Sequence, residues 1–70
     1  MTKQQLSRQF FIAMEMIHHS TTNLFEQLHD QQGNPLQNKE QVERLLQKYQ
    51  AAIKEELSGV REAIKEYHKE

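Results

Sequence analysis

The sequence predicts an all-α fold, an antiparallel two-helix hairpin that dimerises into a four-helix bundle. Three observations carry that expectation. Apolar residues recur at helical spacing in two long segments separated by a single linker that holds Gly33 and Pro35. The composition has one Pro, two Gly and no β-branched run. The stretch Phe10 to Ile17, reading Phe-Phe-Ile-Ala-Met-Glu-Met-Ile, is apolar at seven of eight positions in an otherwise polar chain, and a helix apolar all round is normally a buried one.

The first helix is expected over about residues 3–30. Thr2 serves as N-cap with Gln5 three residues on, and Met1 and Leu6 are spaced for a hydrophobic staple. Phe10, Met14, Ile17, Thr21, Leu24 and Leu28 then follow at spacings of four and three, which define one apolar stripe widened by Leu6, Ala13 and Phe25. The run His18-His19-Ser20-Thr21-Thr22-Asn23 consists of poor helix formers and costs about 2–3 kcal/mol relative to alanines. It leaves two readings, one helix throughout or a restart capped by Asn23, and the unbroken phase of the stripe favours the first.

The linker falls at about residues 31–37. Gly33 suits a helix C′ position in the left-handed region, and Pro35 turns Asn34 away from helical dihedrals. A second helix over about residues 38–68 can start with Asn34 as cap and Pro35 at its first position, or with Asn38 as cap. Its stripe is Val42, Leu46, Tyr49, Ile53, Leu57, Val60, Ile64 and Tyr67, again at spacings of three and four. Glu40 and Arg44 form a favourably oriented i,i+4 pair.

A short linker makes the helices antiparallel neighbours, with facing residue numbers that sum to about 69 by the expected turn position. One seam cannot cover every apolar side chain. On a helix turning about 100° per residue, Ile12 and Met16 fall opposite Phe10, Met14 and Ile17, with Phe11 on the flank. Phe11, Ile12 and Met16 are therefore expected at a dimer or partner interface. Ala52, Gly59 and Ala63 lie together on a flank of the second helix, where small side chains admit another helix; the alternative is that alanine is simply a good helix former and Gly59 a tolerated defect. Because 70 residues rarely hold a sufficient core alone, and the absence of cysteine excludes disulfides, association is the expected remedy. A homodimer, with an unidentified protein partner as the other possibility, is the partner expectation.

Other classes are disfavoured. Nine basic and ten acidic residues are interspersed, without the basic stripe of a nucleic-acid binder. No stretch approaches the ~20 apolar residues of a membrane span, and no basic start precedes an apolar run, so a cytoplasmic protein is expected. Ten glutamines are scattered through the amphipathic periods and read as uncharged solvent-facing helix formers. No Ser-His-acid or Cys-His arrangement is present and a small hairpin offers no deep pocket, so no enzymatic activity and no cofactor are expected.

One constellation has metal-ligand chemistry. Glu15 with His18 and Glu26 with His29 repeat a Glu-x-x-His spacing that di-iron carboxylate bundles use. In this the chain resembles the helical-hairpin ferritin relatives, which assemble a metal site by dimerising. The resemblance implies Glu15, His18 and Glu56 as ligands of a metal-binding dimer, the alternative to an interaction protein without metal. Histidine is the side chain whose charge ordinarily changes near neutrality, so His18 and His19 beside the apolar stretch give a second, pH-dependent reading of association. In size and architecture the chain is similar to the small bacterial modulators of sporulation signalling, the aspartyl-phosphate phosphatases and histidine-kinase inhibitors. The phosphatases carry a Ser-Gln-Glu-Leu-Asp signature on their second helix where this chain has Glu55-Glu56-Leu57-Ser58, so that activity is not expected. The leading expectation is a small interaction module, a bacterial or phage regulator or adaptor acting by helix-mediated binding and self-association.

Overall fold

The computed structural model describes residues 1–69 and consists of two helices, α1 (Lys3–Gln27) and α2 (Lys39–Lys69), packed against each other. Thr2 takes an extended conformation and its hydroxyl accepts from the Gln5 amide at 3.1 Å, while Gln5 Oε1 accepts from the Thr2 amide at 2.9 Å. Two of the amides that a helix start leaves without a partner are thus satisfied reciprocally.

Helix α1 runs without a break through His18–Asn23. Packing of the adjoining half-buried Ser20 and Leu24 outweighs the weak local propensity there. The helix stops at Gln27 rather than near Asp30, with Leu28 as cap. The reason lies in the loop. Leu36 donates its amide to the Leu28 carbonyl at 2.8 Å and Asp30 donates to Asn34 at 2.8 Å, so residues 28–36 close a miniature antiparallel ladder around the bridge His29–Pro35.

Inside that ladder Asp30 organises the turn. Its carboxylate Oδ1 accepts from the amides of Gln32 and Asn34, both at 2.9 Å, and its carbonyl accepts from Gly33 at 3.0 Å. Asp at the first and Gly at the fourth position suit a β-turn. Gly33 does occupy the left-handed region, φ +83°, but as part of this turn and not as the C′ residue of α1. Asp30→Ala removes two acceptor contacts and is expected to lower stability by about 1–2 kcal/mol, read from the chemical denaturation midpoint. Helix α2 begins at the later of its two possible caps: Asn38 Oδ1 accepts from Gln41 at 3.1 Å. Glu40 in its first turn and His68 and Lys69 in its last complement the helix dipole.

The helices meet through a seam set to one side of the apolar stripes. On α1 the covered positions are Leu6, Ala13, Ile17, Ser20 and Leu24; on α2 they are Val42, Leu45, Tyr49, Ala52, Ile53, Glu56, Val60, Ala63 and Tyr67. Only Ala13 and Ala63, 5% and 7% exposed, are buried outright among the described residues. Small residues let the backbones approach, and the spacing between packed helices depends on the side chains at the contact. Leu45 therefore occupies the seam in place of the expected Leu46. The register is close to expectation: facing residue numbers sum to 70 where Thr21 meets Tyr49.

That meeting is the polar link between the helices. Thr21 Oγ1 donates to the Ile17 carbonyl one turn back at 2.8 Å. A hydroxyl has a single proton, so in the 2.7 Å contact between the two hydroxyls Tyr49 is the donor. The Glu40–Arg44 pair does not form. Glu62 and Lys65 approach to 3.6 Å instead, both well exposed, a pairing of small consequence in water.

Candidate functional site

Nine large apolar side chains stand at least 36% exposed: Phe10, Phe11, Ile12, Met14, Met16, Phe25, Leu46, Leu57 and Ile64. Their distribution follows from the seam. In an antiparallel pair, the side of α1 reached by moving toward higher helical angle and the corresponding side of α2 are the same face of the hairpin, because reversing the chain direction reverses the sense of rotation. Phe10, Met14 and Phe25 on α1 and Leu46, Leu57 and Ile64 on α2 thereby share one broad face. Along α2 an open groove on this side is lined by Tyr49, Gln50, Ile53 and Leu57, edged by Lys54 and Arg61.

The opposite face is mixed. Ile12 lies beside a notch formed by Gln9, Ala13, Glu56, Gly59 and Val60, and a second groove joins Ser20, Asn23, Gln27, Leu45 and Lys48. The expected interface residues divide accordingly. Ile12 and Met16, at 45% and 48% exposure, are uncovered and on this second face. Phe11 is uncovered at 63% on the outward side of α1. Gly59 is exposed, Ala52 is half-buried, and Ala63 is buried against α1 rather than left open on a flank. The flank of small residues is largely consumed by the hairpin's own seam.

One element of the sequence reading is reversed. Phe10 and Met14, expected to be covered by the second helix, are 38% and 51% exposed. The stripe that contained them is wider than one helix contact, and alanines took the central place. Spacing alone does not decide between the two stripes, since Ala13 and Leu24 on α1 and Leu45, Ala52 and Ala63 on α2 also recur at multiples of the helical period.

Within one chain the residues named for metal binding in a dimer do not come together. Glu15 and His18 lie on the outward side of α1, whereas Glu56 is half-buried at the seam on α2. Among the described residues no three His, Cys, Asp or Glu side chains come together as a metal-holding group. His29 has a local role instead. Its Nδ1 donates to the Phe25 carbonyl at 2.7 Å, one of the acceptors a helix end leaves open, and its ring lies 4.7 Å from that of Phe25. His18 and His19 have ring centroids 6.3 Å apart.

Among the described residues no helix is long and apolar enough to cross a membrane. No protein-family model, curated protein or solved structure matches this chain, so its functional reading rests on its own surface.

Proposed function

We propose that the chain is a small non-enzymatic interaction protein, acting by helix-mediated binding and self-association in the manner of a bacterial or phage regulator or adaptor. One observation carries the reading: nine large apolar side chains are exposed while only two alanines are buried outright among the described residues. Exposed apolar patches of this extent mark surfaces used for binding. Methionine and phenylalanine dominate the α1 part, and such side chains adapt to a facing helix.

The test is the link between association and structure. Sedimentation equilibrium should give a mass above the 8.4 kDa of one chain, and helicity by circular dichroism should fall on dilution from hundred-micromolar to sub-micromolar chain, as expected when association stabilises folding. A chain that is monomeric throughout, with helicity and melting midpoint independent of concentration, would sink the reading.

A further inference from the structure

We infer that the broad face of Phe10, Met14, Phe25, Leu46, Leu57 and Ile64 is covered by a second copy of this chain, giving a two-fold four-helix bundle in which the face carrying Ile12 and Met16 remains outside. The inference rests on the interaction reading above and specifies its surface and its occupant.

The first argument is the area left open. The hairpin exposes 6140 Å², whereas a compact monomer of its mass exposes about 4,600 Å². The excess of about 1,500 Å² per chain falls in the range that obligate homodimers remove from each partner, above the ~800 Å² of a standard interface. Shape agrees with area. The radius of gyration is 16.1 Å, against about 11 Å for a compact chain of this length, and the Cα body measures 51 × 19 × 8 Å. It is one layer thick. Stacking a second layer on a broad side shortens the disproportion, while end-to-end or edge-to-edge contact does not.

The second argument selects the side and the occupant. Interface cores are depleted in charge. Over the length of the hairpin the six apolar residues share their face with Ser7, Thr21 and Gln50, and His18, Glu43, Lys54 and Arg61 sit along its edge, with Lys3 and Lys39 toward its ends. The opposite side instead presents Glu56 and Lys48 in its grooves. The apolar residues also occur on both helices at matched levels, Phe10 and Met14 near the height of Leu57 and Phe25 near that of Leu46. A face so arranged is its own complement under a two-fold rotation, as a contact between identical surfaces requires.

Two charge-insertion variants separate the faces. The wild-type chain is expected at twice 8.4 kDa. The double variant Leu57→Glu with Ile64→Glu should raise the dissociation constant at least about a hundredfold, because carboxylates would enter an apolar contact without partners, and Ile12→Glu with Met16→Glu should leave the dimer intact. A dimer lost in the second variant and kept in the first overturns the inference while leaving self-association standing; a wild-type monomer removes both. A milder probe guards against misfolding. The chain has no cysteine of its own, so a single Leu57→Cys thiol can be compared with a single Ile12→Cys thiol. In concentrated protein the first should be alkylated at least about tenfold more slowly, and the gap should close on dilution. Equal rates, or the reverse order, overturn the inference.

Discussion

Ala63→Leu is expected to destabilise the chain by about 1–3 kcal/mol, the usual cost of forcing extra methylenes into a packed contact. Ala63 is 7% exposed and faces α1 near the level of half-buried Leu6, where little room is left. A leucine there must push the helices apart or leave its preferred rotamer, and either response loosens neighbouring contacts such as Val60 and Tyr67. Ala51→Leu is the matched control: Ala51 is exposed on the outward side of α2, where leucine and alanine differ little in helix propensity. Thermal and urea melts at one fixed chain concentration give the comparison, because association would otherwise shift both midpoints. If the two substitutions have equal effects, close packing through small residues is not what joins the helices.

Tyr49→Ala should be comparably severe, about 2–3 kcal/mol. Deleting a fully buried aromatic costs more, but Tyr49 is half-buried. Its ring borders grooves on both faces of the hairpin, one with Leu24 and Leu45 and the other with Ile53 and Leu57. It is thus the large side chain that fills the width of the seam in the half nearer the loop. Tyr49→Phe keeps the ring and removes only the hydroxyl bond to Thr21, for which about 0.5–1 kcal/mol is expected, since water can replace a partner at this exposed contact. The difference between the two variants divides packing from hydrogen bonding at one position. A Phe variant as damaged as the Ala variant would place the energy in the hydroxyl pair instead.

Much of this architecture is legible in the residue order. The two helices, the reciprocal Thr2–Gln5 cap and the near-70 register follow from spacing and capping chemistry alone, because these depend on neighbours within one turn or on the length of the linker. The rotation of each helix about its axis does not. Val42-Leu46-Tyr49 and Val42-Leu45-Tyr49 satisfy the helical period equally well, and the choice between Leu45 and Leu46 is made by how closely the backbones can approach at Ala13, Ser20, Ala52 and Ala63. That is a property of two surfaces together. The same ambiguity explains why Phe10, Met14, Leu46, Leu57 and Ile64 could not be recognised as uncovered: Phe11 and Ile12 lie far from the seam, whereas Met16, one turn from Ala13 and Ser20, flanks it on one side and Phe10, Met14, Leu46, Leu57 and Ile64 flank it on the other. The early end of α1 was hidden for another reason. It depends on Leu36 and Asn34 reaching back to Leu28 and Asp30, pairings that no periodicity announces.

Those pairings also bear on how the hairpin forms. The ladder from Leu28 to Leu36 is closed by residues near in sequence, whereas the Thr21–Tyr49 contact spans 28 residues and the contacts of Ala63 span more. Loop-closure entropy grows with separation, so the least costly route begins at Asp30 and its turn and zips outward, each rung shortening the search for the next. The carboxylate of Asp30 is then a kinetic element as well as a structural one. Weakening the turn should slow folding, and weakening the far end at Ala63 should chiefly quicken unfolding, a division that stopped-flow measurements on the two variants would resolve.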